Sequence, residues 1–268
     1  MMPRVFVIGP AGSGKSTLVA ALADYMESQG VPVTKVNLDP AAEYTPYLPD
    51  VDVRTYVYAR RVMEEYDLGP NGAIIASIDL MLNHLEELKE EMGDEEGFTL
   101  IDTPGQMEVF VFRRSGEAIV HSLAGERPVV LFVHDAVLTT SPSAFLSQSF
   151  LAASTYYRLR IATLNVFNKA DLIDGRHAER IVDWIRDPER LIQDLERELR
   201  GLELLMSVEL HRVLRGFMDH HSAFIASAKT SQGLGRIYAA LERVYTGGDR
   251  PDLREDFERY RFEEDTIL

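Results

Sequence analysis

Arg4-Val5-Phe6-Val7-Ile8, then Gly9-Pro10-Ala11-Gly12-Ser13-Gly14-Lys15-Ser16, then Thr17 and a helical pattern: this opening stretch decides the fold. An apolar strand, a glycine-rich turn closing on Lys-Ser and a following helix form the P-loop pattern in the context it requires. Each residue type has a reason. Gly12 and Gly14 let the backbone turn so that successive N–H groups converge on phosphate oxygens. A helix starting near Lys15 adds the positive end of its dipole. Lys15 is expected to reach the β- and γ-phosphates, and the Ser16 hydroxyl to ligate Mg2+. Ser13 and Thr17 complete the candidate phosphate-binding set with Gly12, Gly14, Lys15 and Ser16. On its own the loop indicates a nucleoside triphosphate and nothing finer.

Working outward, short β-branched runs alternate with longer amphipathic stretches. Strands are expected at Arg4–Ile8, Pro32–Asn37, Phe98–Ile101, Val129–Val133, Ala162–Phe167 and Ser222–Ala226. Most are apolar throughout, as strands covered on both faces by helices are. Helices are expected at Lys15–Gln29, Ala73–Met92, Gln106–Ala124, Ser143–Tyr157, Gly233–Tyr245 and, with interruptions, Arg176–Phe217. This spacing predicts an α/β P-loop NTPase fold: a mostly parallel sheet with helices on both faces and right-handed crossovers. No Pro/Gly/Ser-rich linker divides the chain, so 1–248 reads as one domain and 249–268 as a charged, solvated tail. Two insertions interrupt the alternation, at about 40–72 and about 176–217. The second carries Leu191, Leu195, Leu199, Leu202 and Leu205, a stripe at helical spacing that is expected to be core.

Composition narrows the function. Lys plus Arg number 28 against 43 Asp plus Glu, a formal net charge of −15, which disfavours a nucleic-acid backbone or an anionic membrane as partner. With no cysteine, thiolate metal sites, disulfides and cysteine nucleophiles are excluded. The seven histidines show no metal-ligand spacing. No run approaches the about 20 apolar residues of a membrane span, and the N-terminus lacks a secretory core, so a cytoplasmic location is expected.

Two further strand ends carry chemistry. Phe98-Thr99-Leu100-Ile101 leads into Asp102-Thr103-Pro104-Gly105-Gln106. An Asp at a strand tip beside the P-loop is where a water-mediated Mg2+ ligand belongs. The Gly105 N–H is placed to contact a γ-phosphate and Gln106 to orient an attacking water. Asp39, at the tip of the second strand, faces the same crevice, either for water or Mg2+ or as a turn former before Pro40. The fifth strand ends in Asn168-Lys169-Ala170-Asp171. A carboxylate at the base edge accepts two hydrogen bonds from guanine, whereas adenine would leave it buried and unpaired at a cost of about 1–3 kcal/mol. Lys169 is expected over the ring, with Asn168 tying this loop back to the P-loop. After the next strand, Ser227-Ala228-Lys229 offers a backbone N–H to guanine O6.

Together these motifs resemble those of a GTPase, and Gly69-Pro70-Asn71 followed by Gly72-Ala73-Ile74 resembles the signature of the GPN-loop GTPases, of the prokaryotic, archaeal-like homodimeric type. As bare residues, Pro-Asn-Gly is a turn signal before a helix beginning at Ala73. The resemblance implies a homodimer in which each Gly-Pro-Asn loop reaches the partner's nucleotide, so that Asn71 acts in trans on the γ-phosphate. With Asn71 added, the candidate catalytic residues are Lys15, Asp39, Asn71, Asp102 and Gln106, with Mg2+ as cofactor, and which of Asp39, Asp102 or Gln106 polarises the attacking water is left open by the sequence. Pro10 and Ala11 stand where a related ATPase subgroup has an extra Lys. Eukaryotic members assist assembly and nuclear import of RNA polymerase, which makes a polymerase-related protein partner an expectation by resemblance only.

The leading reading is therefore Mg2+-dependent hydrolysis of GTP to GDP and phosphate in a dimer whose nucleotide state controls a partner complex. A nucleotide-gated scaffold with slow hydrolysis is the alternative. A P-loop kinase would instead pass phosphate to an acceptor other than water, and Asn168–Asp171 argues for guanine over its usual ATP.

Overall fold

The computed structural model describes residues 3–93, 96–218 and 222–246. In chain order the elements are β1 (Arg4–Ile8), α1 (Lys15–Ser28), β2 (Val33–Asn37), β3 (Val51–Asp52), α2 (Ala59–Glu65), α3 (Pro70–Met81), α4 (Leu85–Met92), β4 (Phe98–Asp102), α5 (Met107–Phe110), α6 (Arg114–Leu123), β5 (Val129–Asp135), α7 (Pro142–Leu159), β6 (Ala162–Asn168), α8 (Gly175–Arg186), α9 (Pro188–Glu198), α10 (Gly201–Met218), β7 (Ala223–Ile225) and α11 (Leu234–Thr246). The strands form one parallel sheet of seven in the order β3-β2-β4-β1-β5-β6-β7. The expected fold class is the observed one.

Alternation along β1 explains the layers. Val5 and Val7 point to a core shared with Leu18, Leu22 and Met26 of α1 and Ile237 and Leu241 of α11. Phe6 and Ile8 point to the opposite core, with Ile78 of α3, Ile119 of α6 and Phe145 of α7. Successive side chains of a strand face opposite ways, so a fully apolar strand is satisfied only when both faces are covered.

The structure corrects several expected boundaries. The 40–72 insertion contains β3 and α2, neither of which was expected. β3 is only two residues, held by the registers Val36↔Val51 and Asn37↔Asp52, and no periodicity can announce so short a strand. The helix expected from Ala73 starts at Pro70, because proline suits the first turn, where its missing N–H is not needed. It ends at a 3-10 turn, Leu82–His84, before α4. The helix expected over Gln106–Ala124 is two, α5 and α6, folded so tightly that a β-carbon on Gly116 would fall 1.7 Å from the Phe110 carbonyl oxygen.

The Arg176–Phe217 insertion is three helices. Asp174 and Asp187 cap α8 and α9, their side chains accepting from His177 N–H and from Glu189 and Arg190 N–H. The leucine stripe is only half core: Leu191 and Leu195 are buried and Leu199 half-buried, but Leu202 and Leu205 on α10 are 69% and 60% exposed. The charged tail and His220-His221 lie outside the described residues.

Candidate nucleotide-binding site

β1 lies between β4 and β5, so the chain moves to one side of β1 before β4 and to the other side after β5. Such a reversal opens a crevice at the carboxyl ends of the strands, the usual ligand site of an open α/β sheet. Every strand tip named above meets this rim. Asp102 is registered with Val7 on one side and Asn37 on the other, and Asp135 with Asn168.

At the centre, Gly12 and Gly14 adopt φ of 78° and 91°, the left-handed region that favours glycine. Gly14 precedes α1, and no side chain caps the helix, so its first N–H groups face the loop. Ser13 is buried, Ser16 half-buried and Thr17 exposed. Lys15 is buried and donates to the Pro10 carbonyl at 3.1 Å. Burial lowers its pKa, and the carboxylates of Asp102 and Asp39 partly offset that.

To one side lies the acidic end. Asp102 is 2% exposed, and burial pushes its pKa up to about 6 against the pull of the Ser16 and Tyr47 hydroxyls and Lys15. Its Oδ2 accepts the Tyr47 hydroxyl at 3.0 Å, while its Oδ1, also buried, has no hydrogen-bond partner. Asp39 accepts from the Ala41 N–H at 2.9 Å, and burial raises its pKa too. Thr103 donates to the Val7 carbonyl at 2.8 Å, pinning the 102–106 loop to β1. Gly105 faces the P-loop: a β-carbon there would stand 3.4 Å from Lys15 Nζ. Gln106 precedes α5, half-buried, without capping it.

To the other side the loops are laced together. Asn168 Nδ2 donates to the Ser13 carbonyl at 3.0 Å and Asn168 Oδ1 accepts the Ala228 N–H at 3.0 Å, joining three loops through one side chain. The Ser227 hydroxyl donates to Asp171 Oδ1 at 2.6 Å. Lys229 and Asp171 are exposed. Lys169 gains a partner that the sequence did not announce. Its ammonium is paired with Asp135 at 2.6 Å, so only its stem, beside Gly14, is placed to meet a ligand. Asp135 was missed although it is a strand tip like Asp102; Tyr47 has no sequence signal at all. Asn71 stands apart, exposed on the first turn of α3.

A family model described as "Conserved hypothetical ATP binding protein" matches residues 7–247. GPN-loop GTPase PAB0955 of Pyrococcus abyssi is 31% identical over 249 residues, covering 91% of this chain and 98% of that protein. This chain belongs to the GPN-loop GTPase family. The crystal structure of PAB0955, a GTPase in apo form, superposes on this GPN-loop chain with a TM-score of 0.81 at 30% identity, covering 91% of this chain and 97% of that one. GPN-loop GTPase 1 of Dictyostelium discoideum is 35% identical over 188 residues, 69% of this chain and 47% of that protein. The chain thus spans about half the length of the eukaryotic relatives named GPN-loop GTPase 1 from Dictyostelium and Saccharomyces cerevisiae, 47% and 49%.

The family implies Mg2+, and the acidic end fits it. A hydroxyl at Ser16 and a buried, unpaired carboxylate oxygen at Asp102 are the hard oxygen donors that Mg2+ takes. Among the described residues no three acidic or His side chains gather into a cage. Mg2+ sites built on one or two protein oxygens plus phosphates need none.

Proposed function

We propose that this GPN-loop family member is a Mg2+-dependent GTPase that works as a cytoplasmic homodimer. The observation that carries the guanine assignment is the laced corner. Asp171 is steadied by Ser227 through one oxygen, and Asn168 fixes the loop against Ser13 and Ala228. A carboxylate there suits the paired donors of guanine and has nothing to accept from the corresponding edge of adenine. That chemistry favours guanine despite the ATP in the family model's description.

Lys15 then leaves the Pro10 carbonyl for the β- and γ-phosphates, joined by the N–H groups of the loop and of Gly105. When bound, Mg2+ at Ser16 and Asp102 neutralises charge on the β- and γ-phosphate oxygens. Gln106, with Asp39 nearby, orients the water whose oxygen bonds to the γ-phosphorus as the β–γ bridge breaks; the bridging electron pair leaves on GDP and the water's proton passes to a γ-phosphate oxygen, leaving inorganic phosphate. Asn71, exposed on α3, reaches the partner's γ-phosphate as a neutral amide donor.

One observation favours a linked role as a nucleotide-gated assembly factor. Arg113, just beyond the 102–106 loop, pairs with Asp79 of α3 at 3.1 Å, and α3 packs on α5 and α6. Movement at the γ-phosphate contacts is thereby tied to the helix bearing Asn71 and so to dimer shape and a protein partner, polymerase-related by resemblance.

Asp171→Asn tests the reading. An amide there turns one acceptor into a donor, so GTP affinity should fall at least about 100-fold and xanthosine triphosphate should become the better ligand. A variant that still prefers GTP removes the guanine assignment.

A further inference from the structure

The segment between β2 and β3 crosses the carboxyl rim as a strap laced at both ends. The Ala41 N–H donates to Asp39 at 2.9 Å, and Arg54 reaches the Ala42 carbonyl at 2.9 Å. At the far end Asp50 and Lys35 exchange two bonds, each 2.8 Å. Between the anchors Tyr44 and Leu48 are 80% and 85% exposed. Tyr47, half-buried, turns inward. Its ring packs on the core beneath α1 and its hydroxyl donates to Asp102 Oδ2 at 3.0 Å. The buried Thr45 hydroxyl holds the carbonyl of Tyr47 at 2.9 Å, which fixes the backbone that carries the ring.

This contact divides the two oxygens of one carboxylate. Oδ2 is committed to the phenol, and Oδ1 is buried without a protein partner. The terminal torsion of an aspartate is broad and roughly two-fold, so an unrestrained carboxylate spreads over many orientations. Pinning one oxygen sets the direction of the other. A site held by its surroundings also loses less freedom when it binds. Desolvating a phenol hydroxyl is costly unless it is hydrogen-bonded, and here the bond is made to the rim carboxylate whose other oxygen is buried without a hydrogen-bond partner.

We infer that Tyr47 is the positioning residue of the Mg2+ site: it holds Asp102 so that Oδ1 faces the ion beside Ser16. The same bond makes the strap, with its exposed Tyr44 and Leu48, sensitive to how the metal site is organised. This inference rests on the Mg2+ assignment of Ser16 and Asp102 proposed above.

The test is the Mg2+ dependence of nucleotide release, read without turnover. A fluorescent GDP analogue is loaded onto the full chain, and its dissociation is followed across Mg2+ concentrations and in chelator, for the wild type, Tyr47→Phe and Asp102→Asn. Wild type should release the analogue more slowly with Mg2+, and Asp102→Asn should lose that dependence. Tyr47→Phe keeps the ring, so release in chelator should match wild type, while melting temperature falls modestly for the bond lost to Asp102. Its half-maximal Mg2+ concentration should rise about tenfold, the scale of one hydrogen bond to a charged group. An unchanged Mg2+ requirement in Tyr47→Phe, beside a Mg2+-sensitive wild type, overturns the positioning role while leaving the metal assignment standing. A lowered requirement overturns it as well, since the phenol would then compete with the ion. A wild type indifferent to Mg2+ overturns both.

Discussion

The two ends of the nucleotide crevice are built in opposite ways. At the base end protein bonds to protein: Asn168 to Ser13 and Ala228, Ser227 to Asp171, Lys169 to Asp135. At the phosphate end two buried polar atoms, Ser13 Oγ and Asp102 Oδ1, have no hydrogen-bond partner. Lys15 spends its ammonium on the loop's own Pro10 carbonyl, and Asn71 stands on an exposed helix turn. The base end is pre-organised and binds at little cost in order. The phosphate end is finished by what it binds, which is what a site must be if its shape is to report whether a γ-phosphate is there.

The largest effects should come from the phosphate end, and from both subunits at once. Lys15→Ala is expected to lose nucleotide affinity, and Asn71→Ala to lose about 100-fold in turnover with affinity little changed. A mixed dimer of the two carries both lesions in one site and none in the other if Asn71 acts in trans, so mixing the inactive proteins should restore activity. No recovery, with mixed dimers shown to form, breaks the trans geometry.

A smaller effect tests the lacing. Asn168→Ala deletes both bonds and strands a buried carbonyl at Ser13 and a buried N–H at Ala228. Stability should fall by about 2–4 kcal/mol in denaturant unfolding, and GTP and GDP affinities should fall together. A loss confined to GTP would place Asn168 at the phosphate end instead.

The smallest effect separates the ends by the sign of their response to acid. His134, beneath the base end, is buried, donates from Nε2 to Asn165 Oδ1 at 3.0 Å and stacks on Phe167, and burial lowers its pKa to about 4. Its contribution is intact above the unfolded value of about 6.5 and is lost as pH falls toward 4. Asp102 is the reverse: raised to about 6, it burdens the metal-free fold above that pH and relieves it as pH falls toward 3.8. His134→Gln should therefore flatten the acid loss of melting temperature, whereas Asp102→Asn should raise the melting temperature at pH 8. If the two variants shift the pH profile in the same direction, burial is not the cause in at least one of them.

Much of this was legible before any coordinates, because it is local. The P-loop needs only its own residues and neighbours, and fully apolar runs such as Val129–Val133 announce a sheet covered on both faces. Helices were harder at their breaks. The strand-like brevity of β3, the start of α3 at Pro70 and the fold-back around Gly116 all depend on contacts rather than period. The leucine stripe misled for the same reason: Leu195 finds a core to face, whereas Leu202 is exposed on α10, and spacing cannot distinguish them. In the site, Asn168 was placed correctly because its motif lies at a strand end, but the pairing of Lys169 with Asp135 and of Tyr47 with Asp102 joins residues 34 and 55 positions apart. Only the fold brings those together.

Titration calorimetry of GTP and ATP into the nucleotide-free chain, with and without Mg2+, tests the central claim most directly. A pre-organised guanine corner predicts that GTP binds at least about 100-fold more tightly than ATP and that this ratio survives removal of Mg2+ while both affinities drop. Equal affinities, or a preference that vanishes with the metal, would contradict it.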